Sequence, residues 1–86
     1  MPQVIIEQPG IPAMTVPLAG EEITLGRAED NDIALVAEEV SRHHAKICRR
    51  GAKTILIDLN SMNGTYVNRQ RIVERVLAHE DEIWFG

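Results

Sequence analysis

The chain has 86 residues, of which 44% are hydrophobic and 26% charged, and it carries a formal charge of −4. That length fits a single domain, expected to span residues 1–86, and the scarcity of aromatics (Tyr66, Trp84 and Phe85) points to a core of Ile, Leu and Val. The negative balance argues against broad binding to nucleic acid or to anionic membranes, both of which attract positive potential.

Aliphatic runs such as Val4-Ile5-Ile6 and Ile55-Leu56-Ile57 fall far short of the roughly 18 to 20 apolar residues of a membrane helix. Met1-Pro2-Gln3 lacks the charged start of a secretory signal, and Cys48 has no partner for a disulfide. Residence in the cytoplasm is the resulting expectation.

No segment of ten residues keeps a helical period, and short apolar runs alternate with Gly, Pro, Asn and Asp. In chain order the pattern predicts strands at 4–7, 14–18, 22–26, 33–35, 45–50, 53–59, 66–67, 71–72 and 82–85. Ile23 and Leu25 share one face of their strand; Ile55, Ile57 and Leu59 share a face opposite Thr54, Leu56 and Asp58. Gly51 and Asn63-Gly64 read as hairpin tips. An all-β sandwich or barrel follows.

Charge is unevenly placed. Arg42, His43, His44, Lys46, Arg49 and Arg50 fall close together, behind a cluster formed by Glu21, Glu22, Glu29, Asp30, Asp32, Glu38 and Glu39. The segment from Ser41 to His44 therefore admits three chemistries: a nucleophile with its base, a metal site, or an anion cradle.

Ser41 with His44, or His43 with Asp58, can be combined on paper into a catalytic set, but no Gly-x-Ser-x-Gly elbow surrounds the serine. No catalytic residue is assigned, and the chain is not expected to be an enzyme. A metal is disfavoured too, since adjacent His43 and His44 point to opposite faces of a strand and His79 is distant. Asp30-Asn31-Asp32 lacks the glycine and later glutamate of a calcium loop, so turn formation is its expected task. No cofactor is implied. A phosphate, by contrast, needs an arginine fork, a hydroxyl and backbone amides freed by turns. Arg27 after Gly26, Ser41-Arg42, and Asn63-Gly64 supply these if their loops share one end of the fold.

The fragments LGR at 25–27, DI at 32–33, VSRHHAKI at 40–47, LNSMNGTYVN at 59–68 and DEIWFG at 81–86 resemble, in order and spacing, the forkhead-associated (FHA) domain family. The resemblance implies a β-sandwich of about eleven short strands whose loops at one end bind a phosphothreonine-containing protein or peptide. It implies that Arg27, Ser41, Arg42 and Asn63 contact that ligand. Gly26, His44, Gly64 and Thr65 would support the site, with His44 as a brace between loops rather than a base. The function expected is phosphothreonine-dependent protein–protein interaction in signalling or complex assembly; the alternative is a docking domain of the same fold that ignores phosphate.

Three departures stand out. Met62 precedes Asn63 where many family members carry Ser or Thr, a loss for which neighbouring Ser61 is the candidate to compensate. Glu80 replaces a glycine before Asp81. The family's last strand has no counterpart after Gly86, which would leave the strand around Val4 to Glu7 with an open edge, so the expectation is either a fragment of a longer protein or intermolecular pairing through that edge. Trp84, alternating with Ile83 and Phe85, is expected to face outward.

Overall fold

The computed structural model describes residues 3–86; Met1 and Pro2 of the Met1-Pro2-Gln3 stretch lie outside the described residues. Ten strands form: β1 Gln3–Gln8, β2 Ile11–Pro17, β3 Glu22–Gly26, β4 Ile33–Ala34, β5 Ala45–Arg50, β6 Lys53–Asp58, β7 Thr65–Val67, β8 Gln70–Ile72, β9 Glu74–Val76 and β10 Glu82–Phe85. They make two five-stranded sheets, ordered β2-β1-β10-β7-β8 and β4-β3-β5-β6-β9. All nine predicted strands are present.

β9 was not predicted. It is three residues long with no apolar run, and its place is set by pairing with β6, where Leu56 lies opposite Arg75. A strand this short has little periodicity of its own to read.

The sheets bury their facing sides against each other. Val4, Ile6, Val67, Ile83 and Phe85 come from the first sheet and Leu25, Ala45, Ile47 and Leu56 from the second. Trp84 points outward between the buried Ile83 and Phe85, as alternation requires. On β6 the core-facing member is Leu56, opposite Ile47, while Leu59, just beyond the strand, is exposed.

Two turn readings separate. Gly51 does sit at the tip between β5 and β6, with Arg50 paired to Lys53. Asn63-Gly64 is not a hairpin tip, because β6 and β7 belong to different sheets and residues 59–64 carry the chain across. The hairpin of the positive-φ kind lies five residues on: Asn68 and Arg69 have φ of 48° and 72°, and Val67 pairs with Gln70.

The expected open edge at Val4 to Glu7 is also absent. β1 runs between β2 and β10, with Ile5, Ile6 and Glu7 opposite Glu82, Ile83 and Trp84 in parallel register. The outer position falls to β2, where Pro12 and Pro17 lack N–H donors and make poor templates for a further strand.

Candidate functional site

Three loops meet at one end of the sandwich: residues 27–32 between β3 and β4, 35–44 between β4 and β5, and 59–64 between β6 and β7. The middle loop is anchored from below. Leu35, Ala37 and Val40 are buried in the core, and the buried Gln8 of β1 accepts the Ala37 N–H at 3.1 Å. Fully burying one aliphatic side chain contributes about 1.5–3 kcal/mol, so lifting this loop would cost several such terms.

The first loop is sewn to the middle one. Arg27 N–H donates to Ser41 O at 3.0 Å, Ala28 N–H to Arg42 O at 3.0 Å, and Arg27 Nε to Val40 O at 3.1 Å. Because only Nε is engaged among the described residues, the exposed end of the Arg27 fork remains available. Gly26 makes the approach feasible: a β-carbon there would lie 2.2 Å from Arg42 O, well inside contact distance. Asn31, assigned above only to a turn, bridges both loops through Nδ2 to Ala28 O (2.7 Å) and Arg42 O (2.8 Å).

The third loop is joined by side chains. Ser41 Oγ accepts the Met62 N–H at 3.0 Å, and Asn63 Nδ2 donates to Glu39 O at 2.8 Å. His44 is fully buried between the loops; its Nδ1 accepts the Ser41 N–H at 3.0 Å, which places the ring proton on Nε2, and Nε2 donates to Gly64 O at 2.8 Å. Its ring meets Phe85 edge-on at 5.2 Å. Burial lowers the His44 pKa, outweighing the Gly64 hydrogen bond and nearby Asp58, which raise it. The imidazole is a neutral strut.

This geometry disposes of the paper triads. Both nitrogens of His44 serve backbone groups and the Ser41 hydroxyl faces Met62 N–H; His43 Nε2 pairs with Asp30 at 3.2 Å, while Asp58 is engaged elsewhere.

Asp58 organises the third loop, a role the sequence did not reveal. It accepts from the Ser61 hydroxyl, from Ser61 N–H at 3.2 Å and from Thr65 Oγ1 at 2.7 Å. Burial alone would raise its pKa, but the bonds from Ser61 and Thr65 and the neighbouring His44 bring it below the ordinary value. Ser61 Oγ also accepts the Gly64 N–H at 3.1 Å. Ser61 is therefore buried and committed, and it does not stand in for the hydroxyl missing at Met62, whose own side chain is 86% exposed. The spacing Asp-x-x-Ser was the only sequence signal for this pair, and any turn could show it.

Arg27, Arg42 and His43 line a depression of about 400 Å³ together with Ala28, Glu29 and Asp30. The Arg42 N–H donates to no described residue. All eight residues singled out from the sequence thus belong to one bonded loop assembly or its immediate support. Chemically it offers guanidinium groups, a hydroxyl proton and a free amide on a braced surface, the equipment of an anion-recognition module carried on a β-sandwich.

The FHA domain family matches residues 23–86, and the chain belongs to that family. It is 44% identical over 61 residues to the glycogen accumulation regulator GarA of Mycolicibacterium smegmatis, covering 71% of this chain and 39% of that protein. It is likewise 44% identical over 66 residues to the oxoglutarate dehydrogenase inhibitor of Corynebacterium jeikeium, covering 77% and 46%. The chain spans less than half the length of these curated relatives. Among solved structures it is similar to one from a structural and functional analysis of phosphothreonine-dependent FHA domain interactions, with a TM-score of 0.77 and 38% identity over 85% of this chain and 76% of that one. It is also similar to Mycobacterium tuberculosis EmbR in complex with a low-affinity phosphopeptide: TM-score 0.75, 39% identity, covering 81% and 19%.

Proposed function

We propose that this domain docks proteins by binding a phosphothreonine at the three-loop end, and that it acts by binding rather than by catalysis. The observation that carries the reading is the state of Ser41. Its oxygen accepts the Met62 N–H, so its hydroxyl proton is left to donate, in the loop that also presents the Arg42 amide and holds Arg27 through Val40. In this reading the free end of the Arg27 fork and the Ser41 hydroxyl bind the phosphate, the Arg42 N–H and guanidinium add to it, and Asn63 Oδ1 accepts from the peptide main chain. Its Nδ2 is already spent on Glu39 O.

Hydrogen bonds to a charged group contribute about 1.5–3 kcal/mol each, and ordering a flexible peptide offsets part of the sum. An affinity near the micromolar level, about −8 kcal/mol, is the expected balance. The relatives' greater length and the single cysteine support a role as one domain, 1–86, within a larger cytoplasmic protein.

One observation favours the alternative of phosphate-independent docking: at position 62 there is no hydroxyl, and the backbone N–H is already taken. Titration separates the two. Wild type and Arg27→Ala are measured against a degenerate phosphothreonine library, with phosphoserine and unphosphorylated versions alongside. The proposal expects binding that needs the phosphate and collapses in the variant; wild-type binding indifferent to phosphate would overturn it.

A further inference from the structure

The site has a cation that none of the assignments above uses. Arg71 lies on β8 opposite Tyr66, yet its side chain reaches back over the third loop. A β-carbon placed on Gly64 would lie 2.8 Å from Nε and 3.0 Å from Cζ of Arg71, so the guanidinium fills the space in which a side chain at position 64 would stand. Gly64 has φ of 92°, a conformation suited to glycine, and the two requirements reinforce each other. The guanidinium is thereby parked next to Asn63, the residue assigned to the peptide main chain.

Arg71 is exposed and forms no salt bridge or side-chain hydrogen bond with a described residue. That includes Glu38 and Glu39, although the Glu39 carbonyl reaches Asn63. Its partner-free fork suits a carboxylate, whose two oxygens match two parallel N–H donors.

We propose that Arg71 forms a second anion subsite, taking the carboxylate of an acidic residue that flanks the phosphothreonine in the bound peptide. The inference rests on the phosphopeptide reading and adds a selectivity to it. Gly64 is the platform: it brings the guanidinium onto the loop that grips the peptide backbone, within reach of a neighbouring side chain but not in the phosphate's own cradle. Glu38 and Glu39, on the middle loop, repel acid on their side, so the preference for acid is confined to the Arg71 side.

The test uses phosphothreonine peptides of otherwise neutral sequence in which Asp, Ala or Lys is placed at each flanking position in turn, with affinities read by fluorescence anisotropy. At one position Asp should tighten binding about two- to fivefold over Ala, the range of a solvent-exposed ion pair. Arg71→Gln should erase that gain while leaving the alanine-flanked peptide unchanged, Arg71→Lys should retain part of it, and Arg71→Glu should move the preference to Lys. An Asp gain that survives in Arg71→Gln, or no gain at any position, overturns the subsite while phosphate-dependent binding stands. Loss of phosphate dependence in wild type would instead bring down the reading beneath it, and the subsite with it.

Discussion

The imidazole of His44 ties Ser41 to Gly64, accepting the N–H of one and donating to the carbonyl of the other, with no solvent contact. Two loops that are twenty residues apart in sequence are held by one ring. Removing it leaves a buried carbonyl and a part-buried N–H without partners, at up to about 1–3 kcal/mol each. His44→Ala should therefore lower stability by about 2–4 kcal/mol in urea denaturation and weaken phosphopeptide binding although the residue touches no ligand. Unchanged affinity in the folded variant would show that the loops hold their positions without it.

The same ring sets a pH dependence. His44 titrates lower in the folded chain than its ordinary 6.5, so below that pH the unfolded chain takes up the proton first and stability falls as pH drops towards the folded value. Asp58, held below its ordinary 3.8, adds stability that is present above that value and is lost as pH falls through its folded pKa. Stability should decline in two separate acid ranges. In His44→Ala the upper one should vanish and the lower one persist, as urea midpoints measured across pH would reveal.

Gly26→Ala should be poorly tolerated for a reason unrelated to backbone freedom. The new methyl would strike the Arg42 carbonyl, itself a shared acceptor for Ala28 and Asn31. A cost of about 1–3 kcal/mol is expected from overpacking, with a greater relative loss of phosphopeptide affinity as Arg42 is pushed outward. Thermal unfolding and anisotropy on the same sample check both.

Met62→Thr should strengthen phosphopeptide binding. The side chain is exposed, its backbone N–H stays on Ser41 Oγ, and a hydroxyl at this place could add a hydrogen bond to the phosphate. At about 1.5–3 kcal/mol that amounts to roughly tenfold or more. Ser61→Ala should act differently, loosening the loop by freeing Asp58 and Gly64 N–H and lowering stability. A Met62→Thr protein no tighter than wild type would place position 62 away from the phosphate.

Glu80 adopts φ of 68° at a turn before β10, a left-handed conformation that costs a non-glycine residue about 1–2 kcal/mol. Glycine's greater freedom in the unfolded chain returns about 0.5–1 kcal/mol of this, and the exposed contacts of Glu80 to Gln3 and His79 are weak. Glu80→Gly should stabilise the domain by up to about 1 kcal/mol, raising its melting temperature by about 4–8 °C per kcal/mol gained. A lower melting temperature would mean that those two contacts outweigh the strain.

Much of this molecule could be read before its fold was known. Nine strands and the outward turn of Trp84 follow from alternation with period two and from turn residues, which are local properties of the chain. His43 and His44, expected on a strand, lie instead in the loop before β5, where packing exposes one and buries the other. The order of Gly26-Arg27, Ser41-Arg42 and Asn63-Gly64 marked out the three loops that meet at one end of the sandwich. Pairing across distance lay beyond that reading. Closure of β1 by β10, the capture of Arg75 by β6, the spending of Ser61 on Asp58 and the placement of Arg71 over Gly64 each depend on which strands become neighbours. A hydroxyl or guanidinium is free or committed only relative to groups far away in the chain, and it is packing of the two sheets that brings those groups within 3 Å or so of each other.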